Sequence, residues 1–377
     1  MTPYFRQLAR LAKAKGGLFN AHLHIDRVFT YSETLALIGA GEASGSSISL
    51  SAKHQIIPTI HQSTLYDEAS LEARVAAALD EMITVGTTRA DTVVDVTNDR
   101  VGLSALNCLK KIKDRYSSKI DFRLGAYSPF GFSDADPEPW ALFEQAVAQA
   151  DFVGALPERD DHELYPDHIG YRESCRRTLQ LAAAHRLPIH IHVDQQNHDR
   201  EDGSETVIEL IKEMNLPIHE GDEPWVWLVH VISPSTYSED RFNNLVMGLK
   251  QCNVGVICCP SAALSMRQLR PLSSPTANSL ARVLEFLAAG IWVRLGSDNV
   301  CDITSPAGTL SLLDEVFVLC NALRYYDLPT LASLAAGTPL DEASRLRLTE
   351  HLKADAAEIE KAVIQYSNRK RGKQTGS

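Results

Sequence analysis

The 377-residue sequence has no run of about 18 apolar residues, so no membrane span is expected. It has seven cysteines, Cys108, Cys175, Cys252, Cys258, Cys259, Cys301 and Cys320, and none forms a Cys-x-x-Cys pair. That suggests neither a thiolate zinc site nor a disulfide framework; reduced, mostly buried thiols of a cytoplasmic protein are expected instead. Clustered basic charge is scarce as well. Lys and Arg total 37 against 48 Asp and Glu, a formal net charge of −11. A surface for nucleic acid or an anionic membrane needs grouped Lys and Arg, so neither partner is expected. The one basic run, Arg369-Lys370-Arg371 with Lys373, reads as a solvated tail. With 21 Gly and 17 Pro the chain is not fibrous, and with 44% hydrophobic residues it is not disordered.

The sequence does carry a repeated pattern, a short β-branched run and then a longer helical stretch. Candidate strands are 18–25, 87–96, 121–127, 152–156, 188–193, 226–232, 253–258 and 291–295. Between them, 70–85 carries Leu71, Val75, Ala78, Leu79 and Met82 at helical spacing, and 172–186, 275–289 and 308–325 read similarly. Several strands are nearly all apolar, as expected where both faces are covered. Eight such strands alternating with helices give an α/β fold, a (β/α)8 TIM barrel. A doubly wound sheet is the rival; it favours a Gly-rich phosphate loop after its first strand, and none is present. The expected organisation is one domain over 1–366, including a helical C-terminal extension from about 328, with 367–377 as a disordered tail. MTPYFRQLARLAKAKGG reads as a first helix ending at Gly16-Gly17 rather than a transit peptide. The polar segment 31–66 is long for a strand-to-helix loop, and is either a lid over the substrate or an inert excursion.

Active sites of such barrels sit at the C-terminal ends of the strands. The first strand ends in Asn20-Ala21-His22-Leu23-His24-Ile25-Asp26, and two histidines two apart on a strand share a face. The fifth ends in His190-Ile191-His192-Val193-Asp194, the sixth in His230, and the eighth runs into Gly296-Ser297-Asp298-Asn299. A carboxylate after an apolar strand needs a partner, since a bare buried charge is costly. His22, His24 and His192 offer neutral nitrogens and Asp298 an anionic oxygen to one divalent ion. Such an ion brings the pKa of water toward about 7. Asp298 is then suited to accept the water's proton, and His230 to steer the water and hold an oxyanion.

In order and spacing these elements resemble the amidohydrolase superfamily, and within it the cytosine deaminase-like branch. His22-Leu23-His24-Ile25-Asp26 resembles the first-strand His-x-His-x-Asp element. Arg89 with Val93-Val94-Asp95-Val96 resembles the second strand, and Val153-Gly154-Ala155-Leu156-Pro157 the fourth. His192-x-Asp194 resembles the fifth strand, and Glu205-Thr206-Val207 the opening of the helix after it. His230 and Gly296-Ser297-Asp298 stand in sixth- and eighth-strand positions. The resemblance implies one catalytic divalent metal on His22, His24, His192 and Asp298, with His230 beside it, and hydrolysis of C–N bonds in small molecules. Zinc suits the donor set best, with iron and manganese as alternatives.

Three departures stand out. The deaminases' fifth-strand proton shuttle, a Glu, is here Gln195, an amide that carries no proton at neutral pH. The fourth-strand Leu/Ile-Pro-His is here Leu156-Pro157-Glu158; Glu158 either replaces the lost acid or makes a loop salt bridge with Arg159 or another cation. The small β-domain of many relatives is expected to be missing. Three readings are open: a metal-dependent hydrolase of a C–N bond in a small cyclic or amide-like substrate, an aminohydrolase using Glu158, or a non-catalytic binding relative. The partner is in each case a small molecule, and a homo-oligomer is compatible with the acidic barrel and its helical extension. Arg267 and Arg270 are candidates for an anionic substrate or for solvent, and Asp302 for the pocket rim. Phe29, Trp225 and Trp227 read as core, and His54, His61, His185, His219 and His351 as surface or helix-end residues.

Overall fold

The computed structural model describes residues 1–42, 44–218, 223–266 and 280–374, with only the backbone of Ser44 and of 365–374. Eight parallel strands form one sheet in sequential order: β1 Leu18–Leu23, β2 Thr87–Asp95, β3 Asp121–Tyr127, β4 Phe152–Ala155, β5 Ile189–Val193, β6 Val226–His230, β7 Val254–Cys258 and β8 Val293–Leu295. The ends of the sheet meet through a parallel bridge between Leu23 and Asp298, which closes the (β/α)8 barrel. All eight fall within the runs anticipated from the sequence, and among the described residues every strand belongs to this sheet.

Side-chain alternation divides the barrel into an inner and an outer core. On β2, Ala90 and Val94 join the large cluster under the helices, whereas Val93 packs with Tyr127, Phe152 and Leu156. A second inner cluster holds Phe19, Ala21, Trp227, Val229, Ile257 and Cys259. Toward the N-terminal strand ends the Arg294 guanidinium lies 4.0 Å over the Trp227 ring and pairs with Glu223 at 2.7 Å. Space for Trp227 comes from Gly255, where a Cβ would lie 2.4 Å from the indole. The barrel is thus plugged at the bottom, which leaves its top for chemistry.

The helices behave as their spacing predicts. Glu68–Thr84 buries Leu71, Val75, Ala78, Leu79 and Met82. Pro3–Ala14 is capped by Thr2, whose side chain accepts from the Phe5 amide, and has Pro in its first turn. Segment 31–66 is built of short helices, including Tyr31–Leu37, Leu50–His54 and Ile57–Gln62. The C-terminal extension is Leu328–Ala335 followed by Glu342–Gln374. No helix of the described residues is long and apolar enough to cross a membrane.

Candidate active site

The four proposed ligands converge although they come from three distant strand ends. His22, His24, His192 and Asp298 are all buried, and one donor atom from each lies within 4.8 Å of every other. His22 Nε2 is 3.0 Å from His192 Nε2, and His24 Nε2 is 3.3 Å from Asp298 Oδ1. The backbone sets this register. The Asp298 amide donates to the His22 carbonyl at 2.9 Å, and the Asp298 carbonyl accepts from the His24 amide at 3.4 Å. Below, Asn20 Nδ2 donates to Ser297 Oγ at 2.8 Å and Ser297 N returns a bond to Asn20 Oδ1 at 3.0 Å. A Cβ on Gly296 would sit 2.8 Å from both the Cβ and the carbonyl of His22, so glycine is what allows β8 to approach β1 this closely.

Strain marks the same strand ends. Asp298 has φ 59°, His230 77° and the β-branched Val231 50°. Such values are unfavourable for non-glycine residues and persist only where surrounding contacts impose them. Here Val231 N donates to Val193 O, and Ile232 N to Asp194 O at 2.9 Å.

The donor set fits a divalent cation. His192 Nδ1 lies 2.9 Å from the Ala155 carbonyl, which can only accept, so the ring proton sits on Nδ1 and the Nε2 lone pair faces His22. Burial pulls the pKa of His22 and His192 well below that of free imidazole, and neighbouring imidazoles add to it, His192 and His24 for His22, and His230 and His24 for His192, so both present neutral nitrogens. Burial raises the Asp298 carboxyl, but the hydrogen bond to His24 and the field of His230 outweigh it and hold it far below the usual range. His230 Nε2 is 4.0 Å from Asp298 Oδ2, and its own pKa is lowered by burial.

His24, His192, His230 and Asp298 open into a cavity of about 1100 Å³ that is also lined by Tyr127, Glu158, Arg159, Gln195 and Asn299, with His22 buried behind them. Gln195 and Glu158 are therefore on its wall, side by side. Burial, then the charge of Glu201, raises the Glu158 carboxyl to about 8 despite the opposing hydrogen bond from Gln195. Among the described residues its Oε1 has no partner, and no salt bridge joins Glu158 to Arg159. Segment 31–66 supplies part of the wall, from Tyr31 through Ser49 to His54.

Several residues do other work than the sequence suggested. Asp194 does not continue toward the ligands; at φ 55° it turns away and accepts from the amides of Gly203 and Ser204 at 2.8 and 3.1 Å, anchoring the helix Gly203–Glu213. His190 stacks on Phe152 at 4.3 Å inside the barrel, below the site. Asp302 is buried and folds the loop after β8 by accepting from Asn299, Thr304 and Ser305. Trp227 is core, as expected. His219, Arg267 and Arg270 lie outside the described residues.

His54 and His61 were expected at the surface or at helix ends; both stand in the last turns of their helices, Leu50–His54 and Ile57–Gln62, but neither is a simple surface residue. His54 lines the cavity, and burial, reinforced by Arg159 and Arg27, lowers its pKa to about 3. His61 is fully buried between Asp95 at 3.1 Å and Asp99 at 2.8 Å, because the helix Ile57–Gln62 packs over the end of β2. Tyr66 donates to Asp95 and Asp26 in the same network, and Arg27 links it to the site, with Nε 3.6 Å from Asp95 and Nη2 2.5 Å from His24 Nδ1. The signal missed was Asp95-x-x-x-Asp99, two acids at the C-terminal end of a strand awaiting a cation from elsewhere. Burial pulls His61 down, but its bonds to Asp95 and Asp99 prevail and raise its pKa to about 9. A raised folded-state pKa gives stability that is complete below the unfolded value, about 6.5, and is lost as pH rises through about 9. The urea-unfolding difference between wild type and His61→Gln should therefore shrink between pH 7 and 10, by on the order of 3 kcal/mol. A constant difference would assign His61 a packing role only.

No family model matches the chain. An uncharacterized protein of Haemophilus influenzae is 27% identical over 276 residues, covering 72% of this chain and 91% of its own length. Among solved structures, 5-methylcytosine deaminase from Klebsiella pneumoniae, liganded with 5-fluorocytosine, superposes with a TM-score of 0.71 at 21% identity, covering 85% of this chain and 72% of that one. N-isopropylammelide isopropylaminohydrolase from Burkholderia multivorans gives 0.63 at 17% identity, over 85% and 74% of the two chains. In fold, this chain is similar to the barrels of a deaminase and an aminohydrolase.

Proposed function

We propose that this protein is a member of the amidohydrolase superfamily that hydrolyses a C–N bond in a small cyclic or amide-like molecule, with one divalent ion, zinc by the chemistry of the donor set. The observation that carries this reading is the convergence of His22, His24, His192 and Asp298 within 4.8 Å at the floor of a cavity sized for a small molecule. A bound divalent ion would supply Lewis acidity, making water a nucleophile at neutral pH and polarising the carbon under attack.

The protein's own groups supply the rest. Asp298 is held anionic, so it is suited to accept a proton from the attacking water and pass it to the leaving nitrogen. His230, neutral and facing Asp298, is placed to hydrogen-bond the oxygen on which charge develops. Gln195 offers an amide to orient the substrate.

A specific observation favours the aminohydrolase form of this reading. With a pKa of about 8, Glu158 is mostly protonated at pH 7, and it lies on the cavity wall next to Gln195. A neutral carboxylic acid there can protonate a ring nitrogen or a departing amine, the task Gln195 cannot perform.

The test is turnover by zinc-loaded full-length protein on a panel of heterocyclic amines, lactams and amides, read as ammonia release and ring opening. Activity is expected on at least one class, lost on chelation and restored by zinc. A fully metallated protein with no turnover on any class overturns the hydrolase reading, and tight binding without product then identifies a binding relative.

A further inference from the structure

Three arginines of the described residues are at least nine-tenths buried: Arg27, Arg159 and Arg294. Two have carboxylates, with Arg27 facing Asp95 at 3.6 Å and Arg294 holding Glu223 at 2.7 Å. Arg159 has no carboxylate partner among the described residues. Its Nη1 meets the Tyr165 hydroxyl, its guanidinium lies 4.5 Å over the Tyr165 ring, and its buried Nε has no partner among the described residues. A cation that is desolvated but unpaired is costly unless something completes it. It faces the cavity shared with His192, His230 and Asp298.

The surroundings agree in sign. Lys53 lines the same cavity with Nζ bonded to the Thr304 carbonyl at 3.0 Å. The acids on the described wall are Glu158 and Asp298, and Asp298 is engaged with the histidines. Arg159 follows Glu158 directly on the short turn Pro157–Asp160 after β4, so one element carries both groups to the cavity.

We infer that Arg159 anchors a carboxylate of the substrate, so that the site takes small C–N substrates bearing an acid group in preference to neutral ones. The planar guanidinium fork suits a carboxylate, and Tyr165 holds the plane in place. The inference deepens the proposed function and rests on it for the reaction, whereas the anchor itself is read from binding.

Calorimetry on zinc-loaded full-length protein tests it with near-isosteric pairs: cytosine-5-carboxylate against 5-methylcytosine, orotate against 6-methyluracil, and 5-oxoproline against 5-methyl-2-pyrrolidone. The charged member of at least one pair should bind about tenfold or more tighter to wild type. Arg159→Met should weaken that ligand by roughly 10- to 100-fold while changing the neutral member less than about threefold, and Arg159→Lys should keep part of the preference. No preference in any pair, or one that survives Arg159→Met, overturns the inference. Should Arg159→Met fail to fold, the wild-type ranking and Arg159→Lys decide. Turnover is followed in parallel: equal hydrolysis of both members removes the anchor and keeps the hydrolase, whereas Arg159-dependent carboxylate binding without turnover on the wider panel does the reverse.

Discussion

Replacing Asp298 with asparagine is expected to lower kcat by about a thousandfold or more, with little loss of folding stability. The substitution removes the anionic member of the donor set and the proton acceptor together, since an amide neither carries the charge nor takes a proton at neutral pH. The barrel should survive because the contacts that tie this residue to β1 are made by its backbone, Asp298 N to His22 O and His24 N to Asp298 O. Asparagine also tolerates the left-handed φ of 59° found here. Zinc content, kcat and Tm should be measured together. Lower metal occupancy with an intact melting transition is the expected pattern, and an unchanged kcat would remove Asp298 from the chemistry.

Changing Glu158 to glutamine is the second large effect, and it separates two mechanisms. If Glu158 is the acid, kcat should fall by about 10²- to 10⁴-fold with KM little altered. The pH profile adds a signature that a structural role would not give. Glu158 is protonated below about 8 in the free protein, so wild-type kcat/KM should decline as pH rises through that value, and Glu158→Gln should lose this alkaline limb. Unchanged rates in the variant would leave Asp298 to move the proton alone, as suits a cyclic amide, and would end the aminohydrolase reading in its Glu158 form. Glu201 contributes to the tuning, because after burial its charge is the next cause that keeps the Glu158 proton on.

The primary sequence by itself determined the barrel and the strand ends that carry the His22, His24, His192 and Asp298 cluster. Eight apolar runs at regular intervals dictated eight strands, because a parallel strand covered on both faces must be apolar throughout. Histidines spaced two apart, and an aspartate just beyond the last strand, were legible because strand alternation sends i and i+2 to one face. Side-chain chemistry at strand ends is a local property, and the barrel collects such ends at one mouth.

Loops, and pairings across long separations, were decided only by the tertiary structure. His61 looked like a surface or helix-end histidine until Asp95 and Asp99 closed around it, and Asp194 turned toward a helix N-terminus rather than the ligands. The state of Glu158 was equally illegible, since Glu201 and Gln195 reach it from a different loop and burial sets its proton affinity. Arg159 resembled a partner for its neighbour Glu158, yet the turn after β4 carries both to the cavity wall with no salt bridge between them. For His61 and Glu158 the deciding quantity is desolvation plus partners distant in sequence, and for Asp194 and Arg159 it is the direction in which a loop turns, neither of which periodicity encodes.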